Sequence, residues 1–171
     1  MLAAPRGSFW QGSAQLVFSG GAGSRDGVAL PGQLTWRIRP AWTGLNLALN
    51  ADCCMQQALQ AQLEPAGWRG AQLVLSDSQS RWPAGLLAGL GTPWNTVQAQ
   101  GELAASTYNF NARWMQGQLS VAGRLQLDAL QISSRLSPLR PMGSYRLLLK
   151  GGNPSTLQLS TLEGSLLLTG Q

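Results

Sequence analysis

Apolar and polar positions alternate with a period of two over most of the chain. Leu34, Trp36 and Ile38 alternate with Thr35, Arg37 and Arg39; after Pro40, Leu45, Leu47 and Leu49 alternate with Asn46, Ala48 and Asn50. The pattern recurs at Ala71/Leu73/Leu75, Tyr108/Phe110/Ala112/Trp114, Leu119/Val121/Gly123/Leu125/Leu127, Tyr145/Leu147/Leu149, Leu157/Leu159 and Leu162/Gly164/Leu166/Leu168. A residue pair repeating in this way places one set of side chains on each face of a strand. Clusters of Gly, Pro, Asn and Ser separate the runs, which predicts about ten strands. The expected fold is mainly all-β: a coiled antiparallel sheet, half-barrel or sandwich-like, with one apolar and one polar face. Glycines at the strand starts favour strong coiling.

One segment departs from the pattern. Pro83-Ala84-Gly85-Leu86-Leu87-Ala88-Gly89-Leu90-Gly91 has a proline for its first turn, serines upstream to cap it and a glycine to end it. Those signals predict a short helix near 83–90. Gly85 and Gly89 weaken it, so it needs packing against the sheet.

Composition narrows the chemistry. The 171 residues contain no histidine, which removes the commonest general base and the commonest metal ligand together. The seven acidic residues are scattered, no two close in sequence, and a carboxylate pair for general acid–base work is not in view. No phosphate-loop motif exists; Gly20-Gly21-Ala22-Gly23 precedes no helical pattern and reads as a hairpin tip. No cofactor, metal or small-molecule substrate is expected, and the chain reads as a non-enzyme.

The net charge is +5, and every basic residue except Lys150 is an arginine. These arginines are spread singly, with no basic run and no aromatic strand motif for stacking bases, which argues against nucleic acid. Attraction to anionic lipid headgroups stays open, because a few arginines on one rim suffice. Solvated strand faces are the plainer reading.

Cys53 and Cys54 are adjacent. They form no CxxC, and with no histidine they make a poor zinc site. The plain reading is two thiols, one buried and one half-exposed; a vicinal disulfide or an intermolecular bridge is the alternative. Among the seven tryptophans, Trp36 and Trp114 are in phase with the apolar residues of their strands and read as core. Trp82 and Trp94 bracket the predicted helix and pin it. Trp10, Trp42 and Trp68 lie near glycines at strand ends, where a surface or partner contact is the expectation. No apolar run approaches the length of a membrane span.

Two longer blocks resemble a known family. Arg81-Trp82-Pro83-Ala84-Gly85-Leu86-Leu87-Ala88-Gly89-Leu90-Gly91-Thr92-Pro93-Trp94-Asn95-Thr96 and Ser133-Ser134-Arg135-Leu136-Ser137-Pro138-Leu139-Arg140-Pro141-Met142-Gly143-Ser144-Tyr145-Arg146 are similar to the central stretches of type II secretion system protein N. Gly7-Ser8-Phe9-Trp10-Gln11-Gly12-Ser13-Ala14 resembles its opening, and Leu159-Ser160-Thr161-Leu162-Glu163-Gly164-Ser165-Leu166 a later segment. The resemblance implies an accessory, non-catalytic scaffold subunit of the machine that exports folded proteins across the outer membrane. Its implied partners are the inner-membrane platform and the connector to the outer-membrane pore. It also implies that 1–171 is a single periplasmic β-domain of a longer bitopic protein, whose N-terminal inner-membrane anchor and C-terminal end lie outside this chain. The alternative from another class is a periplasmic lipid- or acyl-chain-binding or transfer domain, since a coiled sheet with a leucine-lined concave face suits an acyl chain.

Overall fold

The computed structural model describes residues 1–19, 27–92, 94–138 and 140–170. The expected hairpin tip at Gly20–Gly23 lies outside the described residues. The strands are β1 (Leu2–Gly7), β2 (Gln11–Ser19), β3 (Gly27–Ala29), β4 (Leu34–Ala41), β5 (Gly44–Ala51), β6 (Leu59–Pro65), β7 (Gly70–Leu75), β8 (Ser78–Pro83), β9 (Gln100–Met115), β10 (Gln118–Ser133), β11 (Gly143–Gly152), β12 (Thr156–Gly164) and β13 (Thr169–Gly170). All join one antiparallel sheet in the order β1-β2-β4-β5-β6-β7-β9-β10-β11-β12-β13, with β3 beside β2 and β8 beside β9. The two ends of this order do not pair, so the sheet is an open half-barrel and neither a sandwich nor a closed barrel.

Among the described residues thirteen strands stand where alternation predicts about ten. β3 and β13 are too short to show a period of two. β1 contains Pro5, and Ala4 takes a positive φ of 47° where its register with β2 shifts, so its pattern is interrupted. The segment predicted as a strand from Leu162 to Leu168 ends at Gly164 and turns back. The Thr161 hydroxyl holds that turn by accepting the Leu168 N–H (2.7 Å).

β7 and β8 run along one edge of β9 as two halves of a single broken strand. The break at Ser76 and Asp77 is tied to β9: the Thr107 hydroxyl donates to the Ser76 carbonyl (2.7 Å), and Asp77 Oδ1 accepts the Asn109 N–H (2.6 Å). Opposite it, β9 and β10 change register between Ala122 and Arg124. Asn109 has φ 46° and Gly123 φ 80°, so both strands bulge here. The extra residue reverses the phase. Tyr108, predicted to share a face with Phe110 and Ala112, pairs with Arg124 on the polar face instead.

The sheet curls toward its apolar side. Ala84–Leu90, the predicted helix, forms a seven-residue 3-10 segment that touches β2, β3 and β9. In a flat sheet β2 and β9 would stand five strand spacings apart, or ~24 Å. Seven residues of 3-10 helix span only ~14 Å, so both strands reach the segment only if the sheet wraps around it. The contact with β2 is intimate: a Cβ on Gly89 would sit 2.5 Å from Phe18 Cβ. Two glycines in seven residues supply little α-propensity, consistent with the tighter turn. The expected serine cap is not made. Ser80 instead accepts the Trp82 Nε1 hydrogen bond (2.8 Å), while Trp82 packs into the core and so does pin the segment. A short helix α1 (Trp94–Val97) follows, with Trp94 partly exposed.

The main buried cluster occupies this capped end. Leu30, Ala51, Cys54 and Leu86 are buried together, with Leu16, Phe18, Leu34, Met55 and Trp82 packed around them. Along β5 the apolar face runs from exposed Leu45, through half-buried Leu47 and Leu49, to buried Ala51. Ala14, Ala51, Ala84 and Ala99 are buried at this end, whereas Leu45 and Leu63 farther along the apolar face are exposed. Cys53 and Cys54 are joined by a vicinal disulfide, which corrects the two-thiol reading; one of the pair, Cys54, is buried, and Cys53 is exposed rather than half-exposed.

Candidate functional site

The register carries the apolar alternation straight across the sheet. Pro40, Leu45, Leu63, Leu73, Ala112 and Val121 stand in one cross-strand row. Ala105, Leu127, Leu147 and Leu159 stand in another, and Thr107, Leu125, Leu149 and Leu157 in a third. Each row lies on the inside of the curl. Cross-strand pairs of this kind hold a sheet together, but away from the capped end nothing among the described residues covers them. Leu45, Leu63, Leu119, Leu127, Leu147 and Leu157 are each more than a third exposed. An apolar trough this continuous marks an interaction surface in a folded protein.

The outer face is polar and holds both ion pairs found among the described residues. Arg146 grips Asp128 with two bonds, Nε to Oδ1 (2.7 Å) and Nη2 to Oδ2 (2.8 Å), and Gln126 Nε2 donates to Oδ2 (2.8 Å). The Arg146 bond, opposed by burial, holds the Asp128 carboxyl below the ordinary carboxylate range; the same contact raises Arg146. Arg81 and Glu102 meet at 3.2 Å, both well exposed. The other acids have local duties: Glu64 accepts from the Thr43 hydroxyl (3.0 Å), Asp52 from Asn50 Nδ2 (3.3 Å), and Asp77 ties the bulge. Among the described residues no group of three His, Cys, Asp or Glu residues converges as a metal site.

Trp10, Trp42 and Trp68 are found where strands turn. Trp42 occupies the β4–β5 turn and Trp68 the Gly67–Arg69 3-10 turn between β6 and β7, and both rings are fully exposed. Trp10 precedes β2 and meets Phe9 edge-on, ring centroids 5.5 Å apart; both are half-exposed or more. The structure thus brings the three to one end of the sheet, opposite the capped core. Trp36, read as core, is half-buried and donates Nε1–H to the Phe9 carbonyl (3.0 Å). Trp114, also read as core, is 52% exposed and corrects that expectation. It does lie on the apolar face, opposite Leu119, but at the open end of the trough. Phase names the face of a strand, and it carries no information on whether that face is covered.

Fold and surface together describe an all-β half-barrel whose apolar face is largely open. The family model described as type II secretion system (T2SS), protein N, matches residues 1–171. The chain belongs to that family, and membership implies a component of the type II secretion system, associated with other components of that system in the cell envelope. No curated protein and no solved structure matches it. No helix among the described residues is long and apolar enough to cross a membrane.

Proposed function

We propose that this chain is a non-catalytic scaffold subunit of the type II secretion system. It stands on the periplasmic side of the inner membrane as one β-domain and docks to the machine's platform or connector subunits. The observation that carries this reading is the open sheet. Among the described residues no strand pairs with the outer edge of β1, and β13 meets β12 only at Leu159 and Ser160, so backbone donors and acceptors are open at both ends of the sheet. An added strand from a partner satisfies such an edge, and neighbouring apolar pockets supply specificity. The family match supports a partner within the same machine.

The test is site-specific photo-crosslinking in cells that assemble the machine, with the probe at Leu2 on β1 and at Leu157 on β12, against a probe at Gln60 mid-sheet. Crosslinks from either edge to secretion subunits are expected. Edges that crosslink no more than Gln60 refute the reading. The half-exposed leucines of the trough favour a second reading, an acyl-chain carrier. Lipid in molar proportion to the purified protein, with silent edges, supports the carrier over the scaffold.

A further inference from the structure

Beside the β11–β12 hairpin, which carries no tryptophan, four consecutive hairpins turn at the end of the sheet opposite the core: β1–β2, β4–β5, β6–β7 and β9–β10. Each carries a tryptophan that is half-exposed or more: Trp10, Trp42, Trp68 and Trp114. Neighbouring hairpins are two strand spacings apart, so successive tips stand ~10 Å from one another along the curled rim. The register sets their heights. Leu45 pairs with Leu63 and Gly70 with Met115, which brings the Trp42, Trp68 and Gln116-Gly117 tips to nearly one level. The Trp10 carbonyl accepts the Ile38 N–H, so the β1–β2 tip is set back by about four residues, ~13 Å.

The rim is also cationic. Arg39, Arg69 and Arg113 lie on or within three residues of the three level tips, all exposed, and neither ion pair among the described residues includes them. The one acid in these hairpin ends, Glu64, is engaged by Thr43. Fully exposed indole rings leave their apolar surface in water while the ring N–H keeps its hydrogen bond there. Such a ring is most favourably placed at the headgroup level of a bilayer, and arginines beside it meet anionic lipid phosphates.

We infer that the Trp42, Trp68 and Trp114 tips form a membrane-surface contact that seats the open end of the trough against an anionic lipid leaflet. The sign of the rim's charge and its lack of acidic partners select lipid over a neutral surface. The inference stands on the rim alone and does not depend on the scaffold reading.

Vesicle co-sedimentation with the whole chain tests it, using phosphatidylcholine alone and phosphatidylcholine with about a third phosphatidylglycerol, so that the anionic term is isolated. The chain is expected to bind the anionic vesicles, with a blue shift of tryptophan emission and a loss of binding in high salt. Trp42→Ala with Trp68→Ala is expected to reduce partitioning by roughly tenfold or more, each ring sinking about half of its surface into the interface. Arg69→Gln is expected to reduce it about fivefold. Trp10→Ala, on the tip set back from the others, is expected to change it less than twofold. All four side chains are exposed, and unchanged circular dichroism confirms that each variant folds. No binding to either vesicle overturns the inference, as does equal binding by wild type and the double tryptophan variant. Loss of photo-crosslinks to a protein subunit in that variant, without loss of vesicle binding, makes the rim a protein contact and overturns it too. Edge crosslinks from β1 and β12 report on the scaffold reading separately.

Discussion

Leu30→Ala against Leu63→Ala measures whether the fold is a filled core or a trough. Both substitutions remove the same atoms from the apolar side of the same sheet. Leu30 is completely buried among Ala51, Cys54 and Leu86, and its own N–H is bonded to the Leu16 carbonyl (2.7 Å). Removing three buried carbons there costs ~2.4 kcal/mol in transfer free energy. The hole left behind adds ~1 kcal/mol, because the 3-10 segment and β5 hold its walls in place. The total expected for Leu30→Ala is ~3–4 kcal/mol. Leu63 is 47% exposed in the middle of the open trough. About half the transfer term applies and no enclosed cavity forms, so Leu63→Ala should cost ~1 kcal/mol. Urea denaturation followed by far-ultraviolet circular dichroism gives both numbers from midpoints at a common slope. Equal losses, or a Leu63→Ala loss above ~2.5 kcal/mol, would mean that the trough is filled, and the capped-end core would be the wrong picture.

Three further outcomes follow from named contacts. The stability from Asp128 arises because its folded-state carboxyl is held below the ordinary value; it is fully present above pH ~4 and is lost as pH falls through the lowered folded value. Asp128→Asn should therefore cost ~1 kcal/mol at neutral pH, the upper part of the range for a partly exposed pair. The gap to wild type should close below that pH in parallel denaturation curves, and a pH-independent gap would show that Arg146 is not its cause. Gly123→Ala places a Cβ against the Asn109 carbonyl at a φ of 80°. It should destabilise by ~2 kcal/mol or more in thermal unfolding, whereas Ala122→Gly beside it, free of that clash, should cost less than ~1 kcal/mol. Trp82→Phe loses the hydrogen bond to Ser80 but keeps most of the ring in the core, and a loss of ~1 kcal/mol is expected by the same assay.

What was legible in the sequence was the side of the sheet each residue takes. Alternation at Leu34/Trp36/Ile38 and Leu45/Leu47/Leu49 predicts two strands with a shared apolar face, and those residues do pair, Trp36 with Leu49 and Ile38 with Leu47. Alternation fails where the backbone inserts a residue. Nothing in Tyr108-Asn109-Phe110 announces that Asn109 takes a positive φ, because its partners are Gly123 in β10 on one side and Asp77 in the break between β7 and β8 on the other. Those partners come together only when the sheet forms. The helical segment was legible from Pro83 and its glycines, but the close packing of Gly89 on Phe18 was not, because that contact is far away in the chain. The disulfide between Cys53 and Cys54 was one alternative among three, since adjacency alone does not favour it.

The tryptophans show the same division at the level of the candidate site. Trp10, Trp42 and Trp68 were separable from the rest by position alone, because a large ring next to a turn glycine has no strand neighbour to pack against. Trp114 was not separable, since its phase matches that of a core residue. What exposes it is the reach of the cap. Ala84–Leu90 packs against β2, β3 and β9 at one end of the sheet, where Leu30, Ala51 and Leu86 are buried. The 3-10 segment is too short to reach along the full length of the strands, so Trp114 at the far end is left half-exposed. One geometric cause thus produces the capped core, the open leucine rows and the ring of aromatic tips. A cap lengthened along the trough would be expected to bury Trp114 and the leucine rows together, whereas a second sheet would have buried them row by row.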